Sequence, residues 1–133
     1  MIQRLQSLIL LLAAFCSLII VFYFPVLHLK SYNTDNYIFL TEKLSFARLS
    51  VFLSVGLNIF SIFQFKSRKR QIFVNQISKL LLSIAFIIII FQSGDLNFAI
   101  GLFLFAIPYL LIILANYLIR KDEKLVKSAD RIR

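Results

Sequence analysis

Apolar residues run along this chain in four long blocks, 7–27, 45–65, 72–91 and 96–119, with polar residues gathered in the short segments between them. Each block is close to the roughly 20 residues that an α-helix needs to cross ~30 Å of hydrocarbon. In lipid every backbone N–H and C=O must be satisfied within the chain, so the pattern predicts four membrane-spanning helices rather than open strands or loops. The third block is the least regular: Asn75, Gln76 and Lys79 interrupt it, and the uninterrupted run 80–91 is too short to span alone. Lys79 rescues the span by extending its aliphatic stem and returning its ammonium to the headgroups, and Arg48 near the start of the second block is read the same way. Neither has an acidic residue at helical spacing inside its block, so no intramembrane ion pair or proton relay is expected.

Polar positions inside the blocks have a helical period. In the second block Ala47, Ser50, Ser54, Asn58 and Ser61 recur at three- or four-residue steps and share one helix face. Small and hydroxyl side chains let backbones approach closely, and an asparagine can hydrogen-bond across a helix pair. Ser50, Ser54, Asn58 and Ser61 therefore read as a helix-packing seam. In the third block Gln76, Lys79 and Ser83 continue the pattern, and in the fourth Asn97 and Gly101 share a face. Pro108 bends the last helix or loosens its hydrogen bonding.

Composition widens the picture only slightly. At 60% hydrophobic residues and a mean hydropathy of +0.88, the chain has more apolar surface than a soluble domain of this size can hide. What remains for loops leaves no room for a separate soluble domain. The expected fold is all-α: a polytopic membrane protein forming a single domain over residues 1–133, a four-transmembrane-helix bundle with a cytoplasmic C-terminal helical extension at 120–133. That tail lacks proline and glycine, lines up Leu125, Ala129 and Ile132 on one face, and offers Glu123 and Lys127 as an i,i+4 pair. A helix resting at the cytoplasmic surface is the plain expectation for it, and a docking face for a protein partner the sharper one.

A net charge of +9 raises the question of nucleic acid, but placement answers it differently. Arg4 precedes the first block, and Lys66, Arg68, Lys69 and Arg70 crowd the second connection. The tail carries Arg120, Lys121, Lys124, Lys127, Arg131 and Arg133, whereas the first connection has only Lys30 and Lys43 and the third has none. Lys and Arg favour cytoplasmic loops, so both termini are expected in the cytoplasm of a cell inner membrane, with anionic headgroups rather than nucleic acid meeting the basic residues. The first block resembles a signal peptide but is longer than the usual apolar region of roughly 7 to 15 residues and ends at no small-x-small site, so it is expected to be retained. Cys16 has no second cysteine with which to pair and reads as a small hydrophobe in mid-membrane.

Candidate chemistry is sparse. The connection 28–44 has a turn signal at Asn33-Thr34-Asp35-Asn36, and Tyr23, Tyr32 and Tyr37 suit an interfacial belt. His28, Asp35 and Glu42 show no metal-ligand spacing, no nucleophile can be paired with a base, and the three glycines are too scattered for a phosphate loop. No catalytic residue, metal or cofactor is expected, and the chain does not read as an enzyme.

Met1-Ile2-Gln3-Arg4-Leu5-Gln6-Ser7, the run Leu10 to Ala14 that follows, and Lys121-Asp122-Glu123-Lys124-Leu125-Val126-Lys127-Ser128-Ala129-Asp130-Arg131-Ile132-Arg133 together resemble the domain of unknown function family 4293. Its members are short four-helix membrane proteins, found mainly in the Bacteroidetes, with no established activity. The resemblance spans the whole chain, although between the ends it is one of hydropathy alone. It implies a bacterial inner-membrane location and puts functional or assembly constraint on Gln3, Arg4, Asp122, Glu123, Lys124, Ser128, Asp130 and Arg131. The expected role is a noncatalytic structural or accessory component that assembles with itself or with a membrane partner through the seam and the tail. A small oligomeric transporter or channel is the alternative.

Overall fold

The computed structural model describes residues 2–30, 35–41, 44–64, 66–94 and 96–131. The first helix, α1 (Ile2–Tyr23), stops short of the end of its apolar block. Pro25 has no N–H to continue the ladder and disfavours helical geometry at Phe24, whose N–H makes the last turn's bond to the Ile20 carbonyl at 3.2 Å. Val26 and Leu27, expected inside the first span, lie beyond the helix: Val26 sits in a bend and Leu27 opens a strand.

Leu27 begins β1 (Leu27–Lys30), which pairs antiparallel with β2 (Asp35–Ile38) in the register Leu27↔Ile38 to Lys30↔Asp35. On its other edge β1 takes the two-residue β3 (Asn97–Phe98), with Leu27↔Phe98 and His28↔Asn97. This three-stranded sheet, ordered β2-β1-β3, caps one end of the bundle and corrects two expectations. Asp35 and Asn36 belong to a strand rather than a turn, Asn33 and Thr34 lying outside the described residues. Asn97 lies on a strand and shares no helix face with Gly101.

The remaining helices are α2 (Ser45–Phe63), α3 (Arg68–Ser93), α4 (Ile100–Leu104) and α5 (Ala106–Arg131). α3 closes at Gly94, whose φ of +51° suits a residue without Cβ. α4 and α5 are separated at Phe105 because Pro108 has no N–H to offer the Leu104 carbonyl. The chain recovers with a long Tyr109 N–H to Phe105 O bond of 3.4 Å. Gly101 is required by proximity: its N–H donates to the Pro25 carbonyl at 2.9 Å, and a Cβ there would lie 2.4 Å from that same oxygen.

Helix accounts for 82% of the structure, and four helices are long and apolar enough to cross a membrane: Leu5–Tyr23, Ser45–Phe63, Arg68–Ser93 and Ile100–Ala129, the last combining α4 and α5. The third and fourth begin at different residues from their apolar blocks, since the ladder of α3 takes in the basic run from Arg68 while the strand β3 delays the fourth helix to Ile100. Each helix packs on its neighbours, α1 with α2, α2 with α3, α3 with α5 and α5 with α1, so the bundle is an up-and-down ring. Its polarity runs inside out. Phe63 and Phe91 are 74% and 84% exposed while Asn58 and Asn75 are 0% exposed, the distribution expected when the solvent is hydrocarbon and polar side chains must find partners inside.

Candidate functional site

The start of α1, the end of α5 and the turn that leads into α3 lie at the end opposite the sheet, here called the terminal end. Polar side chains are concentrated in the core there. On α2 the inward face is Ala47, Val51, Ser54, Val55, Asn58 and Ser61. On α3 it is Gln71, Asn75, Ser78, Leu82, Ala85 and Ile89, stepping alternately by four and three residues. The two faces meet at Ser78, whose Oγ lies 2.7 Å from Ser54 Oγ and within donating distance of Ser54 O at 3.1 Å and Asn58 Oδ1 at 2.8 Å. Ser54 Oγ also reaches the Ser78 carbonyl at 3.0 Å. One turn nearer the terminal end, Asn75 Nδ2 donates to Asn116 Oδ1 of α5 at 2.8 Å. In lipid such bonds contribute on the order of 1 kcal/mol each, and their directionality sets which helix faces meet.

Of the seam predicted on α2, Ser54 and Asn58 therefore meet Ser78 of α3, and Ser61 is buried inside this one chain. Ser50 is only half-buried, and its hydroxyl donates to Phe46 O of its own helix at 3.0 Å. On α3 the expected row Gln76, Lys79 and Ser83 is half-buried and flanks the contact, and Ser83 bonds only its own helix, at Lys79 O. Asn75, Ser78 and Asn116 were not picked out as seam members. The signal for the first two was present, because Asn75, Ser78, Leu82, Ala85 and Ile89 keep helical spacing without a charged residue. Arg48 Nη1 donates to Thr41 O at 2.6 Å and ties the start of α2 to the preceding segment.

Toward the sheet the core is apolar, with Val21, Val26, Leu27, Leu40, Val51, Leu82 and Ile89 buried. Ser17, the buried hydroxyl in the middle of α1, donates to Ala13 O of its own helix at 2.9 Å. His28 stacks on Tyr37 across the strand pair with ring centroids 4.9 Å apart. Of its possible metal-binding companions, Glu42 and the side chain of Asp35 lie outside the described residues. So does Tyr32, while Tyr23 and Tyr37 are exposed at the sheet end.

The terminal end is strongly basic. The start of α3 and the turn before it bring Lys66, Arg68, Lys69 and Arg70 alongside Arg120, Lys124 and Lys127 of α5, which runs on without a break from its apolar part and also carries Lys121. Two carboxylates are engaged there: Asp122 with Arg68 across the helices at 2.9 Å, and Glu123 with Lys127 at i,i+4 at 2.9 Å. The hydrogen bond from Lys127 holds the Glu123 carboxyl below its ordinary value. Between α3 and α5 lies an open recess of about 720 Å³ walled by Lys66, Arg68, Lys69, Arg70, Lys127 and the carboxylate of Glu123. Of the terminal-motif residues, Lys124 is exposed and Ser128 bonds Leu125 O of its own helix at 2.7 Å. Gln3 and Arg4 lie on α1, and Asp130 and Arg131 on α5, with their side chains outside the described structure.

No curated protein and no solved structure matches the chain. A family model does match, over residues 2–132, which is nearly the full length and includes both the terminal motifs and the helices between them. The chain therefore belongs to the family described as Domain of unknown function (DUF4293).

Proposed function

We propose that this protein is a noncatalytic, multi-pass component of a bacterial inner membrane, with both termini in the cytoplasm, and that its basic terminal end is the surface through which it engages anionic lipid headgroups and a membrane-protein partner or a second copy. The carrying observation is the lopsided charge at that end. Lys66, Arg68, Lys69, Arg70 and Lys127 wall one recess and Arg120 and Lys124 line the adjoining one, while Asp122 and Glu123 are already paired with Arg68 and Lys127. Basic side chains near an anionic leaflet contribute about 1 kcal/mol each. Their clustering also agrees with the bias of Lys and Arg toward the cytoplasm.

The seam has a different role in this reading. Ser54 and Asn58 bond α3 and Ser61 is buried, so the seam is used inside the chain and leaves partner recognition to the exposed basic end. An apolar core from Val51 and Leu82 to the sheet offers a polar solute no passage through one copy, which disfavours transport by a single chain.

The test is to crosslink a tagged copy in its native membrane, purify it in mild detergent and identify the recovered proteins by mass spectrometry. The reading expects one stoichiometric partner, or the protein itself, lost on deleting residues 121–133 and on the triple change Lys66→Gln, Lys69→Gln, Arg70→Gln. Recovery that survives both changes would move the docking surface elsewhere.

A further inference from the structure

Several buried polar atoms at the terminal end have no hydrogen-bond partner among the described residues: Gln6 Nε2 on α1, Asn58 Nδ2 and Ser61 Oγ on α2, Asn75 Oδ1 on α3 and Asn116 Nδ2 on α5. None of these side chains is more than 5% exposed. They come from every helix of the ring, and packing brings those helices to one level. Ile9 and Leu10 of α1 cluster with Ala115 of α5, and Ile62 and Leu118 pack on them. Gln6 sits one turn before Ile9 and Leu10, Ser61 adjoins Ile62, and Asn116 adjoins Ala115.

The surplus does not depend on which way the amides are turned. Asn75 and Asn116 make one bond to each other, nitrogen to oxygen. Turning both over reverses that bond and still leaves one carbonyl and one amide group unpaired. Turning Asn58 over would let its nitrogen donate to Ser78 Oγ, but would strand its oxygen in place of its nitrogen. A buried amide or hydroxyl without a partner is expensive, most of all in a bundle surrounded by hydrocarbon, so the set calls for a polar guest.

The chemistry of the set identifies that guest. Amide donors from Gln6, Asn58 and Asn116 stand beside one carbonyl acceptor and one hydroxyl, which can both give and take. The one charged side chain with such an atom at this end, Asp122, is already neutralised by its ion pair with Arg68 at 2.9 Å, so an ion would enter without a free counter-charge. A small neutral molecule that both donates and accepts, and fits between close-packed helices, is water. We infer that the terminal end of the bundle holds a site for ordered internal water, closed toward the sheet by the apolar core around Val51, Leu82 and Ile89. The site is a blind pocket that completes the hydrogen bonding of the seam. It is independent of the docking role proposed for the basic surface.

Proton-detected NMR of the full chain in lipid bilayers tests this by polarisation transfer from water. The expected result is transfer to the side-chain amides of Asn58, Asn75 and Asn116, none to the backbone amides of Val21, Val51 and Ile89, and at least a halving of the Asn58 signal in Asn75→Leu/Asn116→Leu. Resolved asparagine amides with no transfer from water in the unmodified chain would overturn the site. Equal transfer to Val21 and Ile89 would overturn its closure and indicate water along the whole bundle. The unmodified chain decides both points even if the double variant fails to fold.

Discussion

Ser78 has a single hydroxyl proton and three acceptors within reach, Ser54 O, Ser54 Oγ and Asn58 Oδ1. Replacing it with alanine leaves those groups to find other partners in a closed core. Ser78→Ala should lower stability by about 1–2 kcal/mol, read from thermal unfolding in mild detergent, with Ser50→Ala near neutral because its bond is local. Gly101→Ala acts through crowding instead. Its new methyl would lie 2.4 Å from a backbone oxygen that cannot swing aside, so a loss of about 1–3 kcal/mol is expected in the same assay. The seam residues of α2 were legible because Ser54, Asn58 and Ser61 are the evident polar interruptions of an apolar block. On α3 two polar rows have helical spacing, Asn75–Ser78 and Gln76–Lys79–Ser83. Only the position of α2 and α5 decides which faces inward, and the row with the lysine is the one turned partly away.

At the level of whole elements, the four long helices were legible from hydropathy, since burial in lipid demands both length and apolarity. Their ends were less so. Pro25 ends α1 at Tyr23 although hydropathy runs on to Leu27, a reminder that backbone donors, not side-chain polarity, terminate a helix. The sheet was not legible, because its strands are four, four and two residues long and β1 pairs with residues about seventy positions away, at Asn97 and Phe98. Pro108 behaves as its chemistry requires, and Pro108→Ala should restore the ladder across Phe105. Hydrogen exchange at the amides of residues 105–109 should then slow, with no change at α2. The tail is one helix with the span, held to α3 by Arg68 and Asp122. Arg68→Glu should hasten proteolysis of the tail, and Arg68→Glu with Asp122→Arg should restore its resistance, since the pair is worth at most about 1 kcal/mol near a surface. Glu123 adds a pH dependence of definite sign. Its carboxyl is held below its ordinary value, so its contribution is present above that value and lost as pH falls through the lowered one.

For the molecule as a whole, one end of the bundle is basic and polar within, while the other is apolar within and covered by a small sheet with exposed tyrosines. In the proposed role the charge asymmetry sets a direction in the membrane, and the internal use of the seam leaves the basic surface for recognition. Orientation is thus the claim on which the proposed role rests. The most direct measurement places single cysteines at Lys69, Lys124 and Asn36 in a Cys16→Ala background and labels intact cells with a membrane-impermeant maleimide. The account predicts labelling at position 36 alone, with positions 69 and 124 reacting only after the membrane is opened. Labelling of 69 or 124 from outside would contradict it and turn the basic end away from the cytoplasm.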